Sequence, residues 1–355
     1  MSGRIPVSIL GATGTVGQKF VRLLADHPWF EVVAVAASSG SAGRAYAETA
    51  RWREPVAIPE AIARLTVMEC SPPTPGKIVF SALDAEVAGP IEEAFAKSGA
   101  IVVTNTRTHR MDPDVPLLIP EVNEDHLRLA DCQRESRGWS GAILANPNCS
   151  TAALALALAP LHRAFTIERL FVSTMQSVSG AGYPGVPSLD IVGNVIPFIS
   201  GEEEKIERES RKILGTLGTG AVDPSTFSLS VHANRVPVLE GHMVAVSVEF
   251  QRRVSPSEAA EAMRCFRGSA RVAALPSSPT PPIELDDRSD RPQPRLDVNR
   301  GGGMAVTVGR IRPCPVLDLR MTILGHNTVR GAAGQGVQIA ELLVAEGRMG
   351  GESAR

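Results

Sequence analysis

The stretch "IPVSILGATGTVGQKFVRLLADHPWFEVVAVAAS", residues 5–38, restricts the fold more than any other part of the chain. A short apolar run leads into Gly11, Gly14 and Gly17. Val16, Phe20 and Leu24 then recur at helical spacing until Pro28 stops the pattern. The next run is almost continuously apolar and rich in valine, as a parallel strand covered on both faces has to be. Strand, glycine turn, helix and strand within about 30 residues predict a right-handed βαβ unit. The first two glycines permit a tight turn and close backbone approach to a pyrophosphate, and the third lets the helix lie near the sheet. The start of that helix, where Thr13, Thr15 and Val16 join the glycines, is the expected seat of the phosphates.

"KIVFSAL" and "AIVVTNT" read as further strands around the helical "AEVAGPIEEAFAKSG". "LLIPEVN", a helix from about Glu124 through Ala130, a polar loop and "GAILANPNCS" come next. Residues 1–148 are therefore expected to form an open, Rossmann-type α/β sheet. Beyond it, "IERLFVSTMQSVSGAG", "FSLSVHANRVPVLEGHMVAVSVEFQRR" and "GGMAVTVGRIRPCPVLDLRMTIL" are long strand-like runs, with helices expected at 201–214 and 256–266. That pattern predicts a second, α+β domain over 149–326 with a mixed sheet. The Pro-rich stretch 275–295 reads as a surface excursion. A final apolar-periodic helix, 327–347, is expected to fold back onto the first domain.

The second strand ends in "AASSGSAGR", with no acidic residue to hold both ribose hydroxyls of NAD. Ser38, Ser39 and Ser41 can donate hydroxyl hydrogens and Arg44 adds positive charge, so NADP is the expected cofactor. Nucleic acid is not an expected partner, because Lys+Arg 36 against Asp+Glu 38 leaves no broad cationic surface. Neither is a membrane, since "TAALALALAP" is far shorter than the roughly 20 apolar residues a span needs. The five cysteines are scattered without a CxxC pair and the histidines without HExxH spacing, so neither disulfides nor a metal site is expected. The chain runs almost at once into its first strand, and a cytoplasmic protein without a secretory leader is the expectation.

Cys149, in "NPNCS", stands where a helix should begin. There, unpaired N–H groups and the helix dipole favour a thiolate. A buried, inert cysteine is the competing reading. His242, after a glycine and entering a strong strand, is the best-placed base, with His232 as its rival in "SLSVHANR". Arg235 lies seven residues before His242 and can reach the same cleft.

With these motifs in order, the chain resembles the aspartate-semialdehyde dehydrogenase family in its archaeal and fungal-like branch. The resemblance covers almost the whole sequence, through "GATGTVGQKF", "SSGSAGR", "DVPLLIPEVN", "NPNCST", "QSVSGAG", "EEEKIERESRKILG", "NRVPVLEGH" and "NTVRGAAG". It implies a catalytic and dimerisation role for the second domain, and Cys149 as the acylated nucleophile with His242 as acid/base. Gln176 would orient the acyl group and Arg235 would clamp the substrate carboxylate, a task suited to a planar bidentate donor. Glu203, two positions before Lys205, would face the substrate ammonium. Lys205, Arg110 and Asn148 would serve phosphate, with Arg107 as rival to Arg110. Ser179, Gly180 and Asn327 would meet the nicotinamide side.

The implied reaction is the NADPH-dependent conversion of L-aspartyl 4-phosphate into L-aspartate 4-semialdehyde and phosphate, through a cysteine thioester. It serves the biosynthesis of lysine, threonine, methionine and isoleucine. The implied assembly is a homodimer or homotetramer. Two alternatives remain at this point: a malonyl-CoA reductase, whose substrate lacks the ammonium, and a noncatalytic NADP-binding assembly protein.

Overall fold

The computed structural model describes residues 3–349. Six short strands build the first sheet: β1 (Ile5–Leu10), β2 (Phe30–Ala37), β3 (Met68–Glu69), β4 (Ile78–Ser81), β5 (Ile101–Thr104) and β6 (Ala142–Ala145). All neighbours are parallel, in the order β3-β2-β1-β4-β5-β6. This is the doubly wound arrangement, in which the strand order reverses between β1 and β4 and opens a crevice at their carboxyl ends. Helices α1 (Thr15–Leu24), α2 (Ala85–Lys97) and α3 (Leu129–Arg137) belong to this half.

The second sheet is mixed. Strands β7 (Ile167–Gln176), β10 (Ser228–Arg235), β11 (His242–Phe250), β12 (Ile283–Asp286), β13 (Val306–Pro313) and β14 (Leu319–Gly325) lie in the order β10-β7-β11-β14-β13-β12. β8 (Thr216–Leu217) and β9 (Val222–Asp223) form a separate two-stranded ribbon. Helix α4 (Cys149–Phe165) packs on one face of the mixed sheet between α5 (Glu202–Ile213) and α6 (Pro256–Cys265). Every residue of α4 from Ser150 to Leu161 is buried, which explains its alternation of alanine and leucine: small side chains let three layers approach. The opposite face of the sheet is open, with Phe171, His232 and Arg320 exposed.

Three expectations change. The polar loop anticipated after Ala130 is helical, because α3 shows solvent all but a narrow stripe of Leu129, Ala130 and Gln133, and ends only at Gly138 with φ +64°. The Pro-rich stretch 275–295 contains strand β12, paired parallel to β13, with Ile283 buried. Its prolines flank the strand, and β12 lies at the sheet edge where no second ladder is required. The final helix begins late: Val329–Ala333 form a wide, irregular turn with Ala332 at φ −154°, ψ −105°. Only α7 (Gly334–Ala345) is regular, and it packs on α1 and β5 in one apolar cluster with Val7, Ile9 and Phe20.

Candidate active site

At the β1–β4 crevice the chain turns through Gly11 at φ +68°, where a Cβ would lie 2.4 Å from the Ala82 carbonyl oxygen. A Cβ on Gly17 would lie 2.2 Å from the Gly11 oxygen, so the α1–loop contact requires glycine at both positions. No side chain caps α1 at Gly14, which leaves the first N–H groups of the helix uncommitted to any cap. The loop itself is braced: the Tyr46 hydroxyl donates to the Ala12 carbonyl at 2.8 Å and Gln18 Nε2 to the Thr13 carbonyl at 2.8 Å. Gly11, Thr13, Gly14, Ser38 and Ser39 line a cavity of about 530 Å³. Ser41 and Arg44 do not line it; the Arg44 guanidinium turns to the Glu48 backbone carbonyl at 3.2 Å instead. Thr15 and Ser179 border a second cavity of about 710 Å³, while Val16, on the first turn of α1, lines neither.

The second sheet positions the candidate catalytic side chains. In its parallel pairing with β7, Arg235 stands opposite Gln176, the last residue of each strand. His242 opens the adjoining antiparallel strand β11. Three strand ends thus meet at the first turn of α4, and Cys149 Sγ lies 3.2 Å from His242 Nε2. The cysteine is half-buried. Gly180 and Gly331 close the packing around this pair. A Cβ on Gly180 would sit 2.9 Å from His242 Cε1, and one on Gly331 2.6 Å from Cys149 Cβ.

The Ser177 backbone N–H donates to His242 Nδ1 at 3.0 Å. A backbone N–H can only donate, so Nδ1 accepts and the neutral ring carries its proton on Nε2, facing the sulfur. In this tautomer His242 is a donor and has no lone pair for the thiol proton, which narrows the acid/base role expected of it. Burial pushes the His242 pKa down to about 3, with Arg235 adding to the effect while Glu202 opposes it. Burial also pushes the Cys149 thiol up to about 12, reinforced by Glu202 and opposed by Arg110, Arg235 and the Ser150 N–H. The helix-terminus argument for a resting thiolate therefore loses to desolvation.

Glu202, not Glu203, faces the site. Its Oε1 accepts from Asn148 Nδ2 at 2.7 Å and Gln176 Nε2 at 3.0 Å, and Oε2 from Lys205 Nζ at 3.1 Å. Burial alone would raise the carboxyl, but Lys205 and the two amides hold it below the usual carboxylate range. Glu203 turns away and accepts the Ala233 N–H at 2.9 Å. The seam of α5 carries the signal that separates them: Glu202, Ile206, Glu209 and Ile213 share one buried helical stripe.

Lys205, Arg110 and Arg107 border one cavity of about 520 Å³, together with Arg208 and Glu209. Arg110 is buried and Arg107 exposed, and only Arg110 is among the charges that act on the Cys149 thiol. Asn148 caps α4 through Oδ1, which accepts the N–H groups of Ser150 and Thr151 at 2.9 and 3.2 Å. Asn327 is likewise a brace, accepting the Gly241 N–H at 2.9 Å and donating to Ser179 Oγ at 2.8 Å. His232 lies on the open sheet face, its ring 5.4 Å from that of Phe171, and takes no part in the cleft.

Two family models match the chain: "Semialdehyde dehydrogenase, NAD binding domain" over residues 6–130 and "Semialdehyde dehydrogenase, dimerisation domain" over 158–330. The aspartate-semialdehyde dehydrogenase of Methanothermobacter thermautotrophicus is 49% identical over 343 residues, covering 96% of this chain and 99% of the relative. A crystal structure of the Candida albicans aspartate-semialdehyde dehydrogenase with NADP is similar at a TM-score of 0.89 and 40% identity, covering 98% of this chain and 100% of that one. The Vibrio cholerae aspartate-semialdehyde dehydrogenase II complexed with ASA is similar at a TM-score of 0.77 and 27% identity, covering 97% and 99%.

Proposed function

The chain belongs to the semialdehyde dehydrogenase family, and from that premise we propose an NADP-dependent aspartate-semialdehyde dehydrogenase working through a thioester on Cys149. The observation that carries this reading is the meeting of Cys149 and His242 at 3.2 Å between a buried carboxylate, Glu202, and a buried guanidinium, Arg235. Opposite charges on either side of a nucleophile suit a substrate that carries both an ammonium and a carboxylate. Neither malonyl-CoA reduction nor mere cofactor binding uses that pairing.

In the biosynthetic direction Cys149 attacks the acyl carbon of L-aspartyl 4-phosphate. The S–C bond forms, the C–O bond to phosphate breaks, and the thiol proton leaves with the phosphate. Arg235 holds the substrate carboxylate and Glu202 the ammonium, while Arg110 and Lys205 draw the departing phosphate into their cavity. The glycine loop and the uncapped start of α1 would hold NADPH, which would supply the hydride. The Nε2–H of His242 stabilises the oxyanion that develops on the former carbonyl oxygen, and then the sulfur as the C–S bond breaks. The aldehyde departs, and Cys149 recovers its proton from solvent. Gln176, fixed by Glu202, borders the acyl group and restricts its rotation.

The division into an NADP-binding part, 1–148 completed by α7, and a catalytic part, 149–326, is supported by the presence of two separate sheets. The second part also leaves Phe171, Leu189, Val192 and Phe198 exposed, which supports assembly into a homodimer or homotetramer.

The decisive assay mixes purified protein with L-aspartate 4-semialdehyde, NADP and phosphate and monitors NADPH formation. Sustained turnover requires phosphate, and kcat/KM for NADP exceeds that for NAD. Turnover of malonyl-CoA with NADPH, without phosphate-dependent oxidation of the semialdehyde, contradicts the proposal.

A further inference from the structure

Arg110 does not approach the cleft on its own. Its Nη1 donates to Glu209 Oε1 at 2.9 Å, and Nη2 to the Asn105 carbonyl at 2.7 Å. The other oxygen of the same carboxylate, Glu209 Oε2, accepts the Asn148 backbone N–H at 2.6 Å. Glu209 is only 2% exposed, at the edge of the cavity it shares with Arg110. One buried carboxylate thus joins the arginine assigned to phosphate with the residue immediately before the nucleophile. A second clamp lies one turn further along α5: Lys212 Nζ donates to the carbonyls of Arg110, Asp112 and Val115, each at 2.8 Å. The loop that carries Arg110 is therefore held to α5 at both its side chain and its backbone.

We propose that Glu209 is a positioning residue that fixes Arg110 at the distance from Cys149 at which phosphate can be held against the acyl carbon. The proposal rests on the reading of Arg110 as a phosphate ligand. A carboxylate is required because two donors converge on it, and each must find a lone pair. Glutamine has the same shape but a single acceptor oxygen, and its NH₂ would confront one of the two donors. Aspartate keeps the charge but is one methylene too short to span both. Removing the charge by itself would leave Arg110 more attractive to phosphate, so positioning and simple charge balance predict opposite signs for glutamine.

Initial rates of semialdehyde oxidation with phosphate varied test this in Glu209→Gln, Glu209→Asp, Arg110→Ala and the Glu209→Gln/Arg110→Ala double variant. Near-ultraviolet circular dichroism checks the fold, and the aspartate variant carries the test where the glutamine variant does not fold. Both Glu209 variants are expected to raise the phosphate KM about tenfold or more, with the semialdehyde KM changed by less than about twofold. In the Arg110→Ala background Glu209→Gln should add almost nothing, because its effect passes through the arginine. A phosphate KM that falls or stays unchanged in the Glu209 variants, an equal rise in both KM values, or full additivity in the double variant overturns the proposal. If Arg110→Ala itself leaves the phosphate KM at the parental value, the phosphate reading of Arg110 fails and the proposal falls with it.

Discussion

A helix starts on each side of the cleft, and the two first turns are finished differently. Helix α1 begins after Gly14, which offers no side chain, so its leading N–H groups have no side-chain cap and can take an anionic ligand. Helix α4 begins after Asn148, whose side-chain oxygen already accepts two of them, while Glu209 takes the N–H of Asn148 itself. One terminus carries no side-chain cap; the other has two of its N–H groups taken by the residue before the cysteine. A helix N-terminus therefore does not by itself mark an activated cysteine. With two of the N–H groups at α4 shared with Asn148, burial outweighs what the helix terminus offers and pushes the Cys149 thiol up to about 12, beside a histidine pushed down to about 3.

The sharpest way to break this contrast is to titrate the sulfur. For a thiol whose pKa lies near 12, the thiolate fraction rises about tenfold per pH unit, so iodoacetamide labelling of Cys149 between pH 6 and 9 should climb roughly a thousandfold. Its rate at each pH is read from the mass-resolved Cys149 peptide. A plateau near neutral pH would reveal a resting thiolate–imidazolium pair, and the two termini would then act alike.

A smaller effect sharpens the same contrast. Asn148→Ala frees the Ser150 and Thr151 N–H groups and leaves Glu202 one hydrogen bond short. Urea denaturation should show a loss of about 1 kcal/mol. The freed N–H groups now favour the anion, so labelling of Cys149 at a fixed pH should quicken. No change in either measurement would mean that the cap neither supports α4 nor occupies its dipole.

The first sheet is the more legible half. Gly11, Gly14 and Gly17 announce themselves by spacing because a backbone constraint acts within a few residues, and local sequence records it. Cys149, Arg235 and His242 are legible too, since each sits at the boundary of a clearly patterned helix or strand. The departures share a different cause. Glu203 in place of Glu202 is an error of helical register, and the stripe running through Ile206 and Ile213 is the clue that resolves it. Glu209 lies on that stripe too, but nothing local says that a buried glutamate must meet an arginine about a hundred residues away. Strand β12 is hidden because its prolines flank a run whose pairing partner, β13, comes later in the chain. The protonation state of Cys149 escapes the sequence, which shows where a helix begins but not which side chain consumes its N–H groups.

The covalent step is open to direct capture. Semialdehyde and NADP, incubated with the protein in the absence of phosphate, should carry Cys149 to the thioester and leave it there, since the group that discharges it is missing. Acid quenching and peptide mapping by mass spectrometry then locate the acyl group. The account predicts an aspartyl adduct on Cys149 that disappears when phosphate is added before the quench, and no adduct in Cys149→Ser. An adduct on Cys70, Cys132, Cys265 or Cys314, or turnover by a folded Cys149→Ser protein at the parental rate, would contradict it.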